Sequence, residues 1–168
     1  MGRIITLVLA TSCLAAPGRA QTNLCSLLPQ AEVSSVLATP VKLSEKAIET
    51  NTARGVTLRS QTCNYDPPGG VGSGPATVRV TITDASSPSV AAQLFKVESQ
   101  TLRPMVAGEG QPLSGVGDEA VAFPEPGSVY MRKKNVTVDI SVKLRDLNRA
   151  REVALGKELA TKAASRIQ

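Results

Sequence analysis

The sequence predicts an α+β fold, a twisted antiparallel sheet of about five to six strands with two to three helices packed on it as an α/β sandwich. Two stretches carry most of that expectation. Val78, Val80 and Ile82 alternate with Thr77, Arg79, Thr81 and Thr83, and Val136, Val138, Ile140 and Val142 alternate with Thr137, Asp139, Ser141 and Lys143. Each is apolar on one side only, as a half-buried antiparallel strand requires. The third observation is the closing segment 145–167, where Val153, Gly156, Ala160, Ala163 and Ile167 recur at helical spacing.

The remaining elements follow in order. Pro29 to Ala38 carries Val33, Val36 and Leu37 at helical spacing and predicts a short amphipathic helix that stops before Pro40. Val41 and Leu43 predict a brief strand, and the polar segment 47–53 a loop. Between Gly55 and Tyr65, Val56 and Leu58 fall on one face and Cys63 and Tyr65 on the other. A bulge or break is therefore expected there. Asp66 to Pro75, rich in Gly and Pro, reads as a hairpin loop. Ser87-Pro88 opens a helix as N-cap and first-turn proline, with Val90, Leu94 and Val97 as its inner stripe, Ala91 and Phe95 beside it, and Arg103-Pro104 at its end. The segment 101–119 is nearly patternless. Strands Ala120 to Phe123 and Val129 to Arg132 follow, joined through Pro124 to Gly127, and Lys133-Lys134-Asn135 turns the chain into the last strand. Gly156 in the final helix costs about 1 kcal/mol of helix propensity, which is explained if the helix backbone lies close against the sheet.

Composition narrows the chemistry. The 168 residues include no histidine and no tryptophan, and 2% are aromatic. Hydrolases built on Ser-His-Asp or Cys-His, and zinc or haem held by imidazole, are thereby excluded. Residues 1–20 read as a secretory signal peptide, with Arg3 as the positive region, Ile4 to Ala10 as the apolar core and Gly18-Arg19-Ala20 as the cleavage site. The apolar run is far shorter than the roughly 20 residues that cross a bilayer. Residues 21–168 then form a single secreted domain. A second reading of the same segment takes Leu9 to Cys13 as a loose lipobox that would place a lipid anchor on Cys13. Both readings leave Cys25 and Cys63, an even pair in an exported chain, as a disulfide.

Several short motifs carry a resemblance. The opening Cys25 to Val33 (CSLLPQAEV), the Cys63-Asn64-Tyr65 half of the cysteine pair and Gly115 to Ala120 (GVGDEA) before a valine-rich hairpin resemble a family of exported bacterial proteins, many of them actinobacterial lipoproteins without an assigned activity. The chain is also similar to the extracellular sensor domains of mycobacterial receptor serine/threonine kinases. That resemblance implies an α/β sandwich with a central antiparallel sheet and a deep groove for ligands. It departs from those sensors in having one cysteine pair and neither a transmembrane segment nor a kinase, so signalling is not carried over.

These features point to a non-catalytic envelope protein, secreted or periplasmic, that binds a small molecule, a lipid or an envelope protein in a groove beside the sheet. The glycine-rich loops 66–76 and 103–119 would roof it, with Arg103, Gly115, Gly117, Asp118 and Glu119 as the candidate ligand loop. No catalytic residue, cofactor or metal ligand is assigned. Competing classes are a carboxylate-dependent envelope hydrolase centred on Asp118 or Glu119, and a structural or assembly subunit. Nucleic acid is not an expected partner, because stacking aromatics are scarce and the chain is exported. The cations Arg132 to Lys134 and Arg145, Arg149, Arg151, Lys157, Lys162 and Arg166 read as solvated faces.

Overall fold

The computed structural model describes residues 23–102 and 109–168. The proposed signal peptide, Cys13 and Arg103 lie outside the described residues. Within them the class is α+β, as expected, with an antiparallel sheet of eight strands and three α-helices. A 3-10 turn, Leu24–Leu27, leads into α1 (Gln30–Leu37). The strands β1 (Lys42–Glu45), β2 (Glu49–Ala53), β3 (Val56–Asp66) and β4 (Ala76–Ala85) come next, then α2 (Pro88–Val97) with a π turn at Glu98–Leu102. The chain ends with β5 (Gln111–Pro112), β6 (Glu119–Phe123), β7 (Ser128–Lys133), β8 (Val136–Leu144) and α3 (Arg149–Arg166). The spatial order is β1-β3-β4-β8-β7-β6-β5, and β2 also pairs with β3.

The two well-patterned strands, β4 and β8, are the centre of the sheet and pair directly, Val80 opposite Ile140 and Val78 opposite Val142. Their apolar faces are fully shielded. Onto that face α3 brings Leu159, Ala160 and Ala163 and its C-cap Ile167, all buried, while Val33 and Leu37 of α1 and Leu24 and Leu28 join the same core. Gly156 permits this approach: a Cβ built there would stand 3.1 Å from a methyl of Val129 and 3.9 Å from one of Val142. Cys25 and Cys63 form the disulfide, tying the 3-10 turn to β3, and the buried Tyr65 hydroxyl donates to the Leu28 carbonyl beside it. Burial, with Glu45 adding to it, pushes the Tyr65 phenol well above its ordinary value.

The opposite face carries α2. Ser87 caps it, its hydroxyl accepting the Val90 N–H, and Pro88 occupies the first turn, both as expected. The buried stripe is different from the one anticipated. Ala91, Phe95 and Ser99 face inward while Val97 is exposed, so the helix is rotated by one residue step, about 100°. The physical reason is aromatic: Phe95 stacks on Tyr130 with ring centroids 5.1 Å apart, and Phe123 completes the cluster.

Three other expectations are corrected. The segment 47–53 is not a loop, because Glu49–Ala53 is a strand of the sheet, paired with β3 from Glu49–Ser60 to Ala53–Val56. All five residues are exposed, so no apolar alternation marks it; the Arg54-Gly55 turn, with φ of 50° and 78°, makes the hairpin. Nor is β3 broken. Its pairing with β4 runs without interruption from Leu58–Ala85 to Tyr65–Val78, and it is the partner edge that changes, β1 covering one half of β3 and β2 the other. Val56 and Leu58 sit half-buried at the open end, so both faces of one straight strand carry apolar residues. Finally, the patternless segment contains β5, two residues that pair with β6. With β2, it raises the strand number above five to six.

Candidate functional site

Among the described residues, the face of the sheet that carries α2 is only partly covered. Alternation along each strand assigns Asn64 and Asp66 of β3, Thr77 and Arg79 of β4, Ser141 and Lys143 of β8, and Ser128 of β7 to this face. Register then brings them together. Asn64, Arg79, Ser141 and Ser128 stand side by side across four neighbouring strands, and Thr77 and Lys143 form the next pair, with Asp66 two residues beyond Asn64. With Asp139 of β8 and Val78 of β4 they line a groove of about 520 Å³, bounded by Val71 from the β3–β4 loop and Pro126 from the β6–β7 turn. This is the size range of pockets that hold small ligands.

The groove's polar groups differ in what already satisfies them. The Arg79 Nε donates to the Asn64 Oδ1 at 3.3 Å, which leaves its terminal nitrogens directed elsewhere. Ser128 is 2% exposed, and its hydroxyl oxygen has no hydrogen-bond partner among the described residues. An unpaired hydroxyl at that depth costs about 1–3 kcal/mol, so its position at the groove wall is informative.

The turn that forms one rim is anchored from behind. Glu152, in the first turns of α3, is fully buried. Its carboxylate accepts the Leu144 N–H at 2.8 Å and an Arg149 Nη at 2.8 Å, and Arg149 also reaches Glu125 of the turn at 3.3 Å. The Glu152 hydrogen bond holds the Arg149 guanidinium above its ordinary value. Gly127, with φ of 80°, packs directly over Glu152, where any Cβ would collide with the carboxylate. Glycine at this turn is thus dictated by a buried acid two elements away in sequence.

The candidate ligand loop lies elsewhere. Asp118 and Glu119 both grip Arg132, at 2.9 and 2.7 Å, and Asp118 additionally accepts the Lys134 N–H at 2.7 Å. Gly117, with φ of 60°, brings the loop backbone against the Arg132 carbonyl, and Gly115, with φ of 78°, makes the preceding turn. None of the four lines the groove. Other cations read as solvated also have definite partners: Lys133 donates to the Ala164 carbonyl at 2.8 Å, and Lys162 and Arg166 hold Glu32 of α1 at 3.3 and 2.6 Å. Among the described residues no cluster of acids or cysteines could hold a metal ion, and no helix is long and apolar enough to cross a membrane.

Of the two glycine-rich loops, 66–76 does border the groove, through Val71. The groove residues themselves were visible in sequence as the polar halves of alternating strands. What makes them a site is the strand order, which no single segment contains. Comparison with protein-family models, with curated proteins and with solved structures finds no match to this chain.

Proposed function

We propose that this is an exported, non-catalytic envelope protein that holds a small polar ligand in the groove beside the sheet. The observation that carries the reading is Ser128, a buried hydroxyl without a hydrogen-bond partner among the described residues, in the wall of a cavity that also takes charged and hydrogen-bonding side chains from β3, β4 and β8. The resemblance to exported bacterial proteins and to kinase sensor domains supports the same reading, and the cysteine pair suits an oxidising compartment. A carboxylate-dependent hydrolase has less to draw on, since Asp118 and Glu119 are both engaged by Arg132. An assembly role has less again: among the described residues, the exposed large apolar ones, Val71, Val97 and Leu147, sit on three separate segments.

Native mass spectrometry of the full chain after export, compared with the variant Ser141→Trp, tests the proposal. The indole would fill the groove without touching the core. An added small-molecule mass, or saturable uptake from envelope extracts, is expected for the native protein and lost in the variant. Binding that survives Ser141→Trp, or no binding by either protein, overturns the groove as the site.

A further inference from the structure

Resting on that reading, we infer that the ligand is an uncharged polyhydroxyl compound of the mono- or disaccharide class. Among the described residues, the charged groups lining the groove are two acids, Asp66 and Asp139, and two cations, Arg79 and Lys143, so their formal charges cancel. Register sets how they alternate. Arg79 pairs with Asn64 on one side and Ser141 on the other, while Asp66 lies two residues beyond Asn64 and Asp139 two residues before Ser141. Both pairings are antiparallel, so those two steps run in opposite directions along β4 and the acids flank Arg79 diagonally. Lys143, the partner of Thr77, stands at the Asp66 end.

Hydrogen-bonding roles therefore run acceptor, donor, acceptor across the groove, with a second donor beside the first acceptor. Carboxylates only accept, and guanidinium and ammonium groups only donate. An anionic group over Arg79 has an acid on either side of it, and a cationic group over Asp66 has Arg79 and Lys143 beside it; desolvating a charge next to its like is costly. A hydroxyl does both jobs: it donates to a carboxylate while accepting from the neighbouring cation, and it rotates to suit. Several hydroxyls on one small frame meet all four groups and add no net charge to a groove that has none. Asp139 already has a partner within the protein, and a carboxylate has lone pairs for more. The uncharged lining is of the same two-way kind, since Asn64, Thr77, Ser128 and Ser141 each donate and accept. At the rim the exposed Val71 and Pro126 offer apolar surface to the C–H face of a sugar ring.

The test is calorimetric titration of the exported protein with glucose, galactose, mannose, N-acetylglucosamine and their disaccharides, beside glucuronate, galacturonate, glucosamine and galactosamine, on the acid side of neutrality where the amino sugars are cationic. At least one neutral sugar is expected to bind, and its uronate and amino counterparts to bind at least about tenfold, or about 1.4 kcal/mol, more weakly. Asp66→Asn leaves the groove one positive charge in excess and should narrow the gap to the uronate; Lys143→Gln does the reverse and should narrow the gap to the amino sugar. Urea midpoints equal to that of the native protein show that the variants are folded. If a charged sugar binds the native protein as tightly as its neutral counterpart, if neither substitution moves either gap, or if sugar binding survives Ser141→Trp, the inference is overturned. If no sugar binds while the Ser141-dependent adduct is present, this inference falls and the groove reading stands. If both are absent, both fall.

Discussion

Glu152 shows how a single side chain can organise a site it does not enter. A fully buried carboxylate is expensive unless its oxygens are engaged, and here one accepts the Leu144 N–H while the other meets Arg149. Truncation removes both at once. Glu152→Ala is expected to destabilise the protein by about 1–3 kcal/mol for the Leu144 N–H left unpaired, plus the loss from the void left behind. Glu152→Gln retains an acceptor for Leu144 and is expected to lose less. Urea denaturation of the two variants measures the difference, and equal losses would mean that the Leu144 hydrogen bond contributes nothing.

Glu32 gives a pH signature at the same scale. Its burial would raise the carboxyl, but hydrogen bonds from Arg166 and Lys162 outweigh that effect and hold it below its ordinary value. A depressed carboxyl contributes stability that is fully present above its unfolded value, about 4.3, and is lost as pH falls through the folded one. The urea midpoint is therefore expected to drop on acidification below about pH 4.3, and Glu32→Gln to flatten that drop. An unchanged acid limb in the variant would show that the α1–α3 ion pair carries no linkage.

Among the elements, the 3-10 turn depends most on a covalent tie. The Cys25–Cys63 bridge closes a segment with a sequence separation of 38. In the chain-entropy model that closure stabilises by about 4 kcal/mol. Reduction, or the double variant Cys25→Ser and Cys63→Ser, is expected to lower stability by up to that amount, and an intact mass two hydrogens lighter than the reduced protein reports the bridge directly. A mass unchanged by reductant would contradict it. The elements were legible in sequence wherever burial wrote a period: β4 and β8 through their valines, α2 through Ser87-Pro88, and α3 through its small-residue stripe. They were illegible where burial was absent or shared. The strand β2 exposes every residue, β5 spans two residues, and α2 turns its Phe95 inward because the surface beneath it is a patch of aromatics contributed by strands downstream in sequence.

On the scale of the whole molecule, the sheet has two unlike faces. One is a valine-rich core sealed by α1, α3 and the disulfide. The other is divided between an aromatic cluster under α2 and the polar groove. The groove could not be read from local pattern, since Asn64, Arg79, Ser141 and Ser128 become neighbours only through the order β3-β4-β8-β7. The absence of histidine took on a narrower meaning as a result. It removes imidazole chemistry from a cavity whose remaining groups are suited to hydrogen bonding. The acids of the glycine-rich segment around Asp118, by contrast, lie outside the groove and pair with Arg132. The most direct test of this division is a map of backbone amide shifts in the exported protein as a small-molecule extract of the envelope is titrated in. Shifts are expected at Arg79, Ser128, Ser141 and Lys143, with Gly115, Gly117, Asp118 and Glu119 unmoved. Shifts confined to the 115–119 loop, with a silent groove, would contradict the account.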